Sequence, residues 1–151
     1  MVKTCFVSGK SINNKCLISL WRLYNCNFRF SRWTKGYFFS FVKYPAILYS
    51  IKVDKELAGF ICGKPEAKSS KRYIISALLI KKKFRGKGYA ESLVKKAIES
   101  ISETRKFESI GLHFRDSNNL KNFYKKIGFK NHKITGTYSN GEKKHFMEMN
   151  L

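Results

Sequence analysis

The chain of 151 residues is 43% hydrophobic and 15% aromatic, enough apolar material for one domain with one core, which excludes a chain disordered by composition. Lys and Arg number 31 against 10 Asp and Glu, a net charge of +21; such a charge attracts nucleic acid, a ribosome, an anionic membrane or a phosphate-rich cofactor. The basic residues are spread from Lys3 to Lys144, as they would also be in a proteome that favours lysine.

Residues 2–7, VKTCFV, read as a first strand. INNKCLISLWRLY, 12–24, places Cys16, Leu17, Leu20 and Tyr24 at helical spacing. CNFRFSRW then reads as an exposed loop, and KGYFFSFVKY, 35–44, as a short helix stopped by Pro45. AILYSIKV, 46–53, and LAGFICGK, 57–64, read as strands joined at Asp54-Lys55-Glu56, followed by a polar loop over 65–71. YIISALLI, 73–80, is an apolar run of the kind found in a strand buried on both faces. In YAESLVKKAIESI, Ala90, Leu93, Val94, Ala97, Ile98 and Ile101 follow a helical apolar stripe, giving a helix over 89–102. SIGLHFR, 109–115, alternates like a strand; SNNLKNFYKKIGF places Leu120, Phe123, Tyr124 and Ile127 on one helical face, closed by Gly128. Two last strands, near 129–134 and 144–150, flank a turn at Asn140-Gly141. The order predicts an α/β fold with a mixed sheet of about six to seven strands flanked by about four helices.

The cysteines at 5, 16, 26 and 62 form no C-x-x-C pair, and no histidine is spaced to complete a zinc site. With no signal peptide, they read as reduced thiols and the protein as cytoplasmic. The longest aromatic run, YFFSFV at 37–42, is too short to span a bilayer. With two prolines and no flexible linker, residues 1–151 read as a single domain.

RGKGYA, 85–90, stands between an apolar strand and a helix. Glycines let a backbone approach closely, and the N–H groups that open a helix point at an anion; Arg85 and Lys87 add charge-assisted contacts. The run is not a P-loop, which requires G-x-x-x-x-G-K-[ST]. Nor is it a dinucleotide fingerprint, because Glu91 stands in the place of the third glycine.

R-x-x-G-x-A after an apolar strand resembles the pyrophosphate loop of the GNAT acetyltransferases. ISALLIKKKFRGKGYAESLVKKAIE is similar to their strand, loop and helix, and LHFRDSNNLKNFYKKIGF to the strand and helix that follow. KGYFFSFVKYPAILYSIKVDKELAGFICGKPE and TYSNGEKKHFMEMNL resemble segments of the catalytic subunits of protein N-terminal acetyltransferases, including the ribosomal-protein type. The likeness covers nearly all of the chain after about residue 20.

The resemblance implies a GNAT fold and acetyl-CoA as cofactor. Its diphosphate would lie on Arg85, Gly86, Lys87, Gly88, Tyr89 and Ala90. Its pantetheine amides would pair with Leu78, Leu79 and Ile80, where a backbone N–H would also hold the thioester oxygen. Asn118 matches an asparagine that touches the cofactor. Tyr124 matches the tyrosine that protonates the leaving thiolate, and His113 stands where members carry a glutamate or histidine as base. Periodicity alone makes Tyr124 a core residue, and a lone strand histidine such as His113 is more often structural. Trp33, Tyr37 and Tyr138 match positions that line the acceptor. The implied acceptor is the N-terminal α-amino group of a protein, with an auxiliary subunit or ribosome contact through the basic surface and no membrane.

Some positions depart from the pattern. Ile74 replaces a frequent histidine or tyrosine, FRFSRW lacks the carboxylate of the loop that reads the acceptor, and GEKK replaces G-E-D-A. A site richer in Arg and Lys would favour acidic N-termini. Two further readings stand beside the first: a GNAT enzyme acting on a small amine or lysine side chain, and a degenerate acetyltransferase fold serving as a basic ribosome- or nucleic-acid-binding module. Aromatic and basic residues interleaved in FRFSRW would suit the last, but no RNA-recognition or helix-turn-helix signature accompanies them.

Overall fold

A computed structural model describes residues 3–28, 31–67 and 70–151. Among these residues the strands are β1 (Thr4–Ser8), β2 (Ile47–Val53), β3 (Glu56–Pro65), β4 (Arg72–Ile80), β5 (Ser109–Arg115), β6 (Lys130–Thr137) and β7 (Lys143–Asn150). The α-helices are α1 (Asn14–Asn27), α2 (Lys35–Phe39), α3 (Tyr89–Glu103) and α4 (Lys121–Ile127). The strands form a mixed sheet in the order β1-β2-β3-β4-β5-β7-β6. Its β4–β5 pair is parallel, while β1–β2, β2–β3, β5–β7 and β6–β7 are antiparallel. The chain divides into two compact units: residues through Lys64 with Ala77–Ala97, and Pro65–Ser76 with Ile98–Leu151. No helix among the described residues is long and apolar enough to cross a membrane.

In the first unit, the side chain of Asn13 caps α1 by accepting from the Cys16 N–H at 2.9 Å. Leu17, Leu20 and Tyr24 on that helix meet Phe38, Phe41, Leu48, Phe60 and Leu79 in one buried cluster. Each such side chain contributes roughly 1.5–3 kcal/mol on burial. The β2–β3 hairpin closes on Asp54 and Lys55, whose φ angles of 48° and 70° suit the two-residue turns that match strand twist.

Three expectations change here. The helix over 12–24 continues to Asn27, so Cys26 and Asn27 are helical and not part of a loop. Trp33 is half-buried, because that extra turn holds the returning chain: Asn25 accepts from the Trp33 N–H at 2.9 Å, and Trp21 Nε1 donates to its carbonyl at 2.8 Å. Arg29 and Phe30 of FRFSRW lie outside the described residues. The helix over 35–44 ends sooner: α2 stops at Phe39, one 3-10 turn covers Ser40–Val42, and Lys43 is already extended two residues before Pro45.

In the second unit, β4 and β5 pair in register from Arg72↔Ser109 to Ile75↔Leu112. Gly128 terminates α4 at φ 125°, its N–H donating to the Tyr124 and Lys125 carbonyls at 3.2 and 3.1 Å. The turn between β6 and β7 is closed by Gly141, at φ 83°, donating to the Tyr138 carbonyl at 2.9 Å.

β4 also differs from expectation, since it is not buried on both faces. Tyr73, Ile75, Ala77 and Leu79 are buried, but Arg72, Ile74, Ser76 and Leu78 are only half-buried. An apolar run shows that a strand is greasy and not whether both of its faces are covered; here alternate side chains line a face that stays partly open.

Candidate active site

The 85–90 turn is assembled by its own backbone. A single 3-10 turn over Lys82–Phe84 follows β4, and the Arg85 Nε–H donates to the Ile80 carbonyl at 2.8 Å, tying the turn back to the strand. Gly86 and Gly88 adopt φ angles of 76° and 85°, a region open to glycine at little cost, and no atom lies within 4 Å of where a Cβ would stand on either. The first hydrogen bond of α3 runs from the Ser92 N–H to the Gly88 carbonyl at 3.1 Å, so by helix geometry the N–H groups of Tyr89 and Ala90 have no acceptor within the helix. Arg85, Lys87 and both glycines are exposed, while Tyr89 and Ala90 are half-buried. An open, Cβ-free cradle, a helix start and two cations are what a diphosphate requires, and the residues present fit one. Leu78 is half-buried and Leu79 and Ile80 are buried; the described β4–β5 pairs stop at Ile75, so these three take no part in that ladder.

In the second unit, β5 directs its residues to two different faces. Ile110, Leu112 and Phe114 are buried, whereas His113 is exposed. Across the sheet His113 pairs with Phe146, with ring centroids 4.9 Å apart. Partial desolvation lowers the His113 pKa below 6.5; Lys144 and Arg72 push it the same way, and Glu66 opposes them. The imidazole is therefore neutral at pH 7, the form a base needs.

Tyr124 packs from α4 against Phe114 and Phe129, each 5.7 Å away between centroids. Phe114 and His113 are consecutive, so Tyr124 and His113 address opposite faces of β5. Tyr124 is only 5% exposed, and burial drives its phenol pKa well up. Its hydroxyl has no hydrogen-bond partner among the described residues, yet no enclosed polar side-chain atom is left unsatisfied. The hydroxyl tip therefore reaches solvent, as a protonated and uncommitted donor.

The remaining expected residues fall in three places. Asn118 is exposed in the 3-10 turn Asp116–Asn118 between β5 and α4. Trp33 and Tyr37 come together at 5.1 Å; Trp33 stacks on Tyr24 at 3.9 Å, and Lys64 Nζ lies 4.2 Å from the Tyr37 ring, which is 43% exposed. Tyr138 is half-buried under the Arg115 guanidinium, 3.8 Å from its ring centroid.

Sequence reasoning missed the ionic frame around these groups. Arg72 binds Glu148 and Glu66, and Glu148 also accepts from Ser109 at 3.0 Å. Ser117 holds the Glu142 carboxyl down to about 2 through its side chain and its N–H, which donates at 2.6 Å, with Asn140 and Arg115 adding to the effect. On the other face, Asp116, His145 and His132 form a chain with contacts of 2.7 and 2.6 Å. Among the described residues no group of side chains is arranged to hold a metal ion. No local signal marks these partners, because strand alternation carries no information about which residues face one another.

A comparison with the curated proteins gives no match. Solved structures share the fold. NAA60 from Arabidopsis thaliana, in complex with a bisubstrate analogue, superposes with a TM-score of 0.79 at 18% identity over 99% of both chains. The ribosomal-protein-S18-alanine N-acetyltransferase from Escherichia coli gives 0.74 at 13% identity, over 99% of this chain and 94% of that one. An aminoglycoside 6'-N-acetyltransferase complexed with coenzyme A gives 0.78 at 15% identity, over 97% and 96%. Residues 17–129 match the model of the acetyltransferase (GNAT) family, so the chain belongs to that family and is an acetyl-CoA-dependent N-acetyltransferase.

Proposed function

We propose that the acceptor is the N-terminal α-amino group of a protein. Acetyl-CoA supplies an acetyl group activated as a thioester. Arg85 to Ala90 hold its diphosphate, the Leu78–Ile80 main chain its pantetheine amides, and Asn118 makes a further contact. His113 takes a proton from the acceptor ammonium, directly or through one water. An α-amino group has a reference pKa of roughly 8, so about nine-tenths of it is ammonium at pH 7 and freeing the amine costs only about 1.4 kcal/mol. Tyr124, on the other face of β5 from His113, would supply a phenolic proton to the sulfur of coenzyme A. Trp33, Tyr37 and Tyr138 line the acceptor, within one catalytic domain spanning the chain, and the basic surface suits contact with a ribosome or an acidic auxiliary subunit in the cytoplasm.

The observation that carries this reading is the exposed His113 on the open face of β5, whose pKa partial desolvation lowers. Charge weighs against the rival acceptors: a net +21 repels polycations such as aminoglycosides and polyamines. The structurally similar enzymes include an S18-alanine N-acetyltransferase beside an aminoglycoside 6'-N-acetyltransferase, so the fold is compatible with either acceptor and the choice rests on the site and its charge.

The test is a panel of short peptides with free N-termini, run beside the same peptides N-terminally blocked but carrying an internal lysine, and beside an aminoglycoside. Acetylation of the free termini alone is expected. Acetylation confined to lysine side chains or to the aminoglycoside overturns the reading.

A further inference from the structure

The open face around His113 carries more positive charge than its own carboxylates neutralise. Paired residues of neighbouring strands share a face. His113 pairs with Phe146, Phe146 pairs with Lys133, and Arg115 pairs with Lys144; all of these stand on the His113 side of β5, β7 and β6. Arg115 is matched by Glu142 at 3.4 Å, and Arg72 by Glu66 and Glu148. Lys144 and Lys133 have no carboxylate within ion-pair distance among the described residues. Their ammonium groups lie 5.7 Å from the Tyr138 ring centroid and 5.3 Å from that of Phe146. Lys144 is half-buried and close enough to act on the His113 imidazole. It also sits directly opposite the like-charged Arg115, a pairing that strands normally avoid. Two unmatched cations over an aromatic floor, Lys144 diagonal to the base on β7 and Lys133 one strand further on β6, form half of an ion pair.

We propose that the acceptor's first residue is Asp or Glu, its side-chain carboxylate held by Lys144 with Lys133 while its α-amino group faces His113. The inference rests on the N-terminal reading above. A carboxylate on the first side chain stays within one residue of the amine, and Lys144, diagonal to His113 across the β5–β7 pair, stands about 7–8 Å from it, a gap its long side chain spans. A basic first residue meets repulsion from the same lysines.

The test compares kcat/KM at saturating acetyl-CoA for otherwise identical peptides beginning with Asp, Glu, Asn, Gln, Ser or Lys, and for peptides with Asp or Glu only at the second position. Acidic first residues are expected to exceed their amide isosteres by about tenfold to a hundredfold, as charge-assisted hydrogen bonds allow. In Lys144→Ala the Asp-to-Asn ratio collapses toward one, and in Lys144→Arg it is kept. Each ratio is taken on one variant, so any change in His113 basicity cancels. Acetylation with no acidic preference, a preference only for an acidic second residue, or a ratio that survives Lys144→Ala overturns this inference and leaves the N-terminal reading standing. Failure of every peptide while coenzyme A still binds overturns the N-terminal reading itself, and this inference with it.

Discussion

The turn at 85–90 works through its main chain, whereas the face around His113 works through side chains drawn from β4, β5, β6 and β7. The turn needs two glycines at positive φ, a helix start and one tie from Arg85 to the Ile80 carbonyl, all within a dozen residues. The His113 face needs Phe146, Lys144, Glu148 and Lys133, brought beside β5 by antiparallel pairings between residues 13 to 37 positions apart. Binding of a common group, a diphosphate, can be left to main-chain N–H groups once glycines supply the turn's positive φ angles. Proton transfer and acceptor choice depend on particular side chains and their charges. Substitutions in the turn should therefore alter cofactor affinity, and substitutions in the second unit should alter turnover or its pH dependence.

The largest effect is expected from Tyr124→Phe. The hydroxyl makes no hydrogen bond within the described structure, so its loss leaves packing against Phe114 and Phe129 intact. Turnover should fall about 100-fold, the scale of a general acid, with coenzyme A affinity unchanged by calorimetry. Equal turnover in wild type and variant would remove Tyr124 from proton transfer.

Gly88→Val comes next. A β-branched residue at φ 85° costs about 1–2 kcal/mol, and open space around the position confines that cost to the turn. The dissociation constant for coenzyme A should rise roughly tenfold, since each 1.4 kcal/mol is a factor of ten, while kcat at saturating cofactor stays within about a factor of two. A drop in kcat with affinity kept would erase the division between the two regions.

His113→Ala gives the smallest change at neutral pH and the clearest in shape. Because the His113 pKa lies below 6.5, the imidazole becomes protonated and inactive as base only under acidic conditions. In wild type, log kcat/KM against pH should have a slope of about one below the acceptor's pKa near 8 and steepen to about two only below the lowered His113 pKa. The variant should keep a slope of about one throughout. A second break that persists in the variant would assign the base elsewhere.

The strand–turn–helix from 73 to 103 could be read closely from sequence because its signals are local. Turn glycines and the apolar stripe of α3 act within a few residues, and the predicted helix over 89–102 differs from Tyr89–Glu103 by a single position. Trp33 misled for the opposite reason. Its stacking on Tyr24 and its clasp by Asn25 depend on one further turn of α1, which no apolar residue announces. β4 misled because hydrophobicity reports what a face tolerates and not whether anything covers it.

Residue order alone determined the element types, the glycine turn ahead of α3 and, by family resemblance, His113 and Tyr124 as the residues to watch. Only the tertiary structure decided that His113 is exposed beside Phe146 and Lys144, that Tyr124 meets β5 from the other side, and that two lysines there lack carboxylates. Helix periodicity and turn chemistry are properties of a short stretch of chain. Register between β5, β7 and β6 is a property of distant stretches pairing, and a slip of one residue would send His113 to the buried face.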